Sequence, residues 1–310
     1  MINFRFYALA LASVFAALTI GLVLGTAVAN GPVTDGLKDQ TSVLSRNLSN
    51  QRDENQKLLA ELKRDQNFAT EVAPALLGGK LSGRKLLVVA LPGSSEYADD
   101  VVAMLTMAGA TITAQLAVHD RFFDPAAAYE LLDLIHRTGR PTVPIDGLPA
   151  NSDAVETAGA QLTLALLQHP DSLPAPADVT AVITAYAKAD FLSVGDTAAG
   201  GAEGAVIISG EPFSDKHATE MNRSAVTLST QFSLNKPLVI AGFGPGDGNL
   251  IAAVRRTPKL AGTISTIDNA GFPKGQVATG LATAERMVQG KVGQYGNDVG
   301  ATSEVPKAAA

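Results

Sequence analysis

The sequence contains no cysteine, which excludes disulfides, thiolate metal sites and a cysteine nucleophile. That absence leaves the compartment open, because a chain of 310 residues can be held by an ordinary core. Tryptophan is missing and aromatic residues are only 5%, so the apolar share of 46% rests on Ala, Val, Leu and Ile. There is no long Lys/Arg cluster and the formal charge is −6, which excludes a general grip on nucleic-acid phosphates. GxGxxG, GxxxxGK[ST], Gly-x-Ser-x-Gly, HxH and HExxH patterns are also lacking. No dinucleotide, P-loop, hydrolase or zincin chemistry is indicated, and a protein that is not an enzyme is expected.

What the chain does have begins at residues 8–29, ALALASVFAALTIGLVLGTAVA, without a single charge. At about 1.5 Å per residue this stretch spans roughly 33 Å, the thickness of a hydrocarbon core. A retained transmembrane anchor over 1–31 is expected, with a cleaved signal as the competitor, since Ala27-Val28-Ala29 suits a signal peptidase. Arg5 is the sole cation ahead of the span. The positive-inside bias then places the protein in the cytoplasmic membrane as a single-pass protein with its C-terminal domain outside. Gly21 and Gly25 form a GxxxG that would let a second helix approach within the lipid.

Residues 32–72 read as a helical stalk. Leu37, Leu44, Gln51 and Leu58 fill one core position of a heptad, and Thr41, Leu48, Asn55 and Leu62 fill the other. Gln51 and Asn55 would fix register at a cost in stability. A homodimer through this coiled coil is expected; folding back on the chain's own domain and pairing with a partner's helix are the alternatives. The stalk's charges alternate in sign, so it is no nucleic-acid arm.

From 80 to 296 the pattern becomes α/β. Lys85 to Leu91 is a continuous apolar strand, PGSSEYADD breaks it, an apolar helix runs on to Ala108, and Ala110 to Val118 begins a second strand. Strands apolar on both faces predict a covered, mostly parallel central sheet in an α/β sandwich, with about five strands. Further strands are expected at 191–194, 205–209, 237–241 and 263–267, and helices at 126–137, 153–167, 178–189, 219–231 and 276–289. Thr142 to Ala150 and Pro170 to Pro176 read as Pro-rich connections, and 297–310 as a disordered tail. The turn Pro92-Gly93-Ser94-Ser95 sits where such sheets often bind ligands, but it reads better as a turn and helix cap. Residues 242–248 read as a flexible Gly-rich loop. His119, His136, His169 and His217 are isolated, with Asp215 and His217 the nearest approach to a metal pair, and Met104 and Met107 read as core. Asp196, Glu211, Asp215 and Asp268 could meet at strand ends.

Near the C-terminus stand Ser265-Thr266-Ile267-Asp268 and Val292-Gly293-Gln294-Tyr295-Gly296. With the N-terminal apolar run, the heptad and KLLVVALPG, these stretches resemble the actinobacterial copper transporter family MctB, over nearly the whole chain. The resemblance implies copper export or homeostasis in the envelope, a channel-like outer-membrane label that makes the outer membrane of a mycolate-type envelope the alternative location, and links to envelope integrity and cell separation beside a cytoplasmic-side partner. It supplies no catalytic residues, and copper enters only through it, since the residues themselves imply no cofactor. The residues show no barrel-strand alternation and a single apolar span, so no pore is visible in them. A membrane-anchored, non-catalytic scaffold that dimerises through its stalk and docks cell-wall or division partners is therefore the main expectation; the alternative is a component of copper export.

Overall fold

A computed structural model describes residues 4–29, 32–139, 153–169, 173–214, 216–234, 236–242 and 248–307. Asp215, the loop 243–247, the connection 142–150 and residues 170–172 lie outside the described residues. The chain divides into two compact units, Met1–Arg64 and Asp65–Ala310.

In the first unit, helix α1 (Phe4–Ala29) contains the stretch Tyr7–Thr26, with mean hydropathy 2.3 and no buried side chain, long and apolar enough to cross a membrane. Its polar side chains close on its own backbone: Ser13, Thr19 and Thr26 each donate to a carbonyl three or four residues back. These three hydroxyls need no water, which suits a lipid environment. Helix α2 (Pro32–Leu77) follows, its long polar face rich in good helix formers. It runs past the expected stalk end, because Ala73 and Leu77 are fully buried in the second unit.

That unit is built on a seven-stranded sheet, β1 (Lys85–Ala90), β2 (Thr111–Val118), β3 (Leu192–Ala198), β4 (Gly204–Ser209), β5 (Leu238–Gly242), β6 (Ile264–Ile267) and β7 (Gln294–Tyr295), ordered β3-β2-β1-β4-β5-β6-β7. All neighbours pair parallel except β2 with β3. Alternate residues of each strand face opposite layers. Leu87, Val89, Ile207 and Ile240 pack under α4 (Ala128–Thr138), α5 (Ala154–Leu166), α6 (Pro176–Lys188), α7 (Ala218–Ser233) and α8 (Leu250–Arg256). Leu86, Val88, Val206 and Val239 pack under the end of α2, α3 (Ser95–Met107) and α10 (Pro273–Ala284). The short α9 (Pro258–Ala261) leads into β6.

The mostly parallel α/β sandwich agrees with the sequence reading. Six of the seven strands fall where the sequence places them, against a sheet expected to have about five, and α8, α9 and β7 are additions. The loose tail is corrected as far as residue 304. Gly296 N donates to Ser303 O at 3.0 Å, Thr302 N to Gln294 O at 2.7 Å, and Lys274 pairs with Glu304 at 2.6 Å. Backbone groups satisfied by a sheet edge order a segment whose composition alone reads as loose.

Candidate functional site

The two C-terminal motif stretches meet at the β6–β7 edge. Asp268, one residue beyond β6, and Arg255 on α8 form an ion pair at 2.7 Å with side chains 2% and 4% exposed. Arg255 also donates from Nε to Thr266 Oγ1 at 2.9 Å and from Nη2 to Tyr295 O at 2.6 Å. Asp268 accepts from Asn297 N at 2.8 Å and Asp298 N at 3.0 Å. Thr266 donates to Gln294 Oε1 at 2.5 Å, and Gln294 Nε2 donates to the carbonyls of Ala261 and Ile264. Gly293 N reaches Ser265 Oγ, and the Tyr295 hydroxyl donates to Glu285. Gly296, at φ +124°, must be glycine, because a Cβ there would collide with the Asp268 carboxylate.

The polar residues of both stretches are thus consumed in fastening a two-residue strand and the segment after it. Asp268 has a guanidinium and two amides on its carboxylate, so it is not a free ligand. Its negative charge, with burial the larger cause, raises the Asp298 carboxyl above the ordinary range, against the opposing pull of Arg255. Arg255 was missed in the sequence. Its signal is there, though: Asn249 accepts from Ile251 N and Ala252 N as an N-cap, ahead of apolar Leu250, Ile251 and Val254.

At the other strand ends, the sheet reverses its winding between β1 and β4, where open α/β sheets hold ligands. Here that crevice is shut. Gly93 (φ +78°) lies against Gly210, a Cβ on Gly210 would strike Pro92 and Gly93, and the cavity that remains is about 20 Å³. The Tyr97 hydroxyl donates across it to Ser209 O. Pro92 to Ser94 is a turn that leads into α3, as expected, but Ser94 makes no capping bond from its side chain and donates to Leu91 O at 2.7 Å instead. An open cleft of about 470 Å³ beside β2 is bordered by Ser95, Asp99, Gln115, His119 and Asp120.

Asp196 and Asp268 do not converge. Asp196 is on β3, five strand steps from β6, or roughly 24 Å at 4.8 Å per step. His119 is engaged through Nδ1 by Asp190 at 3.0 Å and through Nε2 by Ser193 Oγ at 3.3 Å. His169 Nε2 sits 3.1 Å from Leu164 O, and Met104 is buried while Met107 is 39% exposed. Among the described residues no group of three His, Asp or Glu side chains could hold a metal ion. On α2, Leu44, Leu48, Gln51, Asn55, Leu58 and Leu62 are exposed, while the side chain of Leu37 lies outside the described set. Around Gly21 and Gly25 a Cβ would meet nothing within 4 Å, so that face of α1 is open.

Burial is the largest cause that lifts the Tyr97, Tyr186 and Tyr295 phenols well above their ordinary value; the charges of Glu211 and Glu96 add to it at Tyr97, and the bond to Glu285 adds to it at Tyr295. The fold holds the protonated form, whereas the unfolded chain releases these protons from about pH 10. Stability is therefore complete below that pH and falls as pH rises through it. Urea unfolding between about pH 9 and 11 should show this fall, and a smaller one in Tyr97→Phe/Tyr186→Phe. An unchanged slope in the variant would contradict the assignment.

The family profile described as "Copper transport outer membrane protein, MctB" matches residues 1–306. A protein named "Copper transporter MctB" from Mycobacterium tuberculosis is 27% identical over 321 residues, covering 98% of each chain. Its namesake from Mycobacterium leprae is 25% identical over 319 residues, again with 98% of each chain covered. The family's description names an outer-membrane protein and overturns the cytoplasmic-membrane placement expected from Arg5. The reason is physical: an apolar span reports the thickness of a bilayer, and one cation reports a weak orientation bias, but neither tells one membrane of an envelope from another. The family is one of transport, and no reaction is assigned to the chain. Both motif stretches, the apolar helix and the long helix after it fall inside the matched range, and the chain belongs to the family of MctB copper transport outer membrane proteins.

Proposed function

We propose that the protein is a component of copper export or homeostasis in the cell envelope, with copper as cargo. The observation that carries this is the extent of the likeness: relatives named as copper transporters align over 98% of the chain. Apolar helix, long polar helix and α/β unit are therefore compared together, not one generic fold at a time. In this reading the chain contributes a membrane-attached body that associates through α2 and through the Gly21–Gly25 face of α1, forming a homodimer. Conduction through a barrel of its own is not part of the reading, since the described strands form an open sheet covered on both faces.

Removing the protein from its cell is expected to raise cell copper several-fold under copper load, measured by elemental analysis, with zinc unchanged and wild-type levels restored on complementation. Copper content that stays level after removal would overturn the proposal. A second reading, a scaffold that docks envelope proteins, is favoured by the exposed leucines at 44, 48, 58 and 62. A photocrosslinker at Leu48 tests this second reading: crosslinks to a cell-wall or division protein support the scaffold, and self-crosslinks, which both readings expect, without any such product count against it.

A further inference from the structure

We infer that the groove between the C-terminal part of α2 and α10 is the seat of a second copy of this chain. The groove is open, has a volume of about 710 Å³, and lies wholly within the second unit. Ala69, Val72 and Leu76 of α2 form one wall, Val277 and Leu281 of α10 the other, and Val305 lies along it. Phe68 at its rim is 65% exposed and Leu76 is 43% exposed, large apolar surfaces that a finished monomer rarely leaves bare.

The occupant is indicated by register. The alternating steps of four and three that pass through Leu44, Leu48, Leu58 and Leu62 continue in sequence to Asp65, Ala69, Val72 and Leu76, inside one unbroken helix. Those four residues all line the groove. In heptad letters Leu48, Leu62, Ala69 and Leu76 are a positions; Leu44, Leu58, Asp65 and Val72 are d positions. Ala73, at e, and Leu77, at b, are fully buried against the chain's own sheet. The C-terminal part of α2 therefore carries two apolar stripes, one used by its own unit and one left bare. A helix that merely packs on its domain needs only the first.

An identical helix meets the bare stripe with its own a and d positions and needs no change of register. Both copies would start from an apolar span at the same end, so their α2 helices run parallel. In a parallel pair the g flank of one helix meets the e flank of the other. The e flank at Ala73 is the side on which the chain's own unit lies, so Phe68, at g, is brought to the partner's α10. Asp65 interrupts the apolar row, as Gln51 and Asn55 do higher up, and favours one register over others.

This inference rests on self-association of the stalk, and the test keeps the two apart. The chain has no cysteine, so each introduced thiol reports alone. Full-length Leu48→Cys reports the stalk. A mixture of two differently tagged full-length chains, one Phe68→Cys and the other Leu281→Cys, reports the groove, because neither chain can form an internal disulfide. Mild oxidation in membranes is expected to give Leu48 dimers and a product carrying both tags. Adding Leu76→Arg, at a half-exposed position that tolerates it in the monomer, should lower the two-tag product at least tenfold while Leu48 dimers persist. Leu48 dimers without the two-tag product would overturn the groove and leave the stalk standing. Absence of both would overturn both, and capture of a protein of another size by the Phe68 and Leu281 thiols would reassign the groove to a different partner.

Discussion

Arg255→Ala is expected to lower the unfolding free energy by about 3–5 kcal/mol, the range for leaving one member of a buried ion pair alone. The size follows from what remains. Asp268, 2% exposed, keeps its charge in a site that water does not reach, and Thr266 and Tyr295 O each lose a donor. Swapping a buried pair for apolar residues is often harmless elsewhere. Here it should not be, because Asp268 also accepts from the amides of Asn297 and Asp298. Arg255→Met/Asp268→Leu is therefore expected to stay destabilised by at least about 2 kcal/mol, the cost of orphaned buried donors. Urea unfolding followed by circular dichroism reads both values. A loss under about 1 kcal/mol in Arg255→Ala, the range typical of an exposed pair, would mean that the pair is wet and the β6–β7 edge is held some other way.

Leu77→Ala carries the second large effect, about 2–5 kcal/mol. Leu77 is fully exposed to protein and not to solvent, with 0% accessible surface, and it lies against the face of α10 where Gly280 leaves room: a Cβ on Gly280 would stand 2.7 Å from Leu77 Cδ2. Truncation would leave a cavity that Gly280 cannot fill. Gly280→Ala in the Leu77→Ala background is expected to recover part of the loss, whereas alone it should destabilise by overpacking. Additive effects of the two substitutions would show that α2 and α10 do not share this contact.

The parts of this structure legible in the sequence are those where one physical signal dominates. KLLVVA is a strand under any reading, because after Lys85 its five consecutive apolar residues are apolar on both faces and have no other use between a basic turn and the break at Pro92. The long helix α2 is legible for the opposite reason, a sparse apolar spacing in a strongly polar run. β7 was not legible: Gln294 and Tyr295 have no apolar alternation, and they pair because Gln294 satisfies Thr266 and two carbonyls at once. The antiparallel placement of β3 depends on where the chain returns to the sheet, which no local pattern encodes. Asp268 and Tyr295 stood out by resemblance, yet their role as a fastening depends on Arg255, thirteen residues upstream of Asp268 and on a seven-residue helix too short for periodicity to reveal. Helix α2 runs beyond residue 72 because Ala73 and Leu77 are fully buried in the second unit, and that burial depends on long-range packing that no local pattern encodes.

Copper measured in cells gives the most direct test of the account as a whole, that a membrane-attached body associating through α2 serves copper transport. Cells lacking the protein are complemented with the wild type or with Leu48→Asp/Leu58→Asp, which places like charges along the seam and leaves the α/β unit untouched. With both proteins present in membranes at equal levels, the wild type should return cell copper to normal and the variant should leave it raised several-fold. Full restoration by a variant shown to be monomeric would contradict the account.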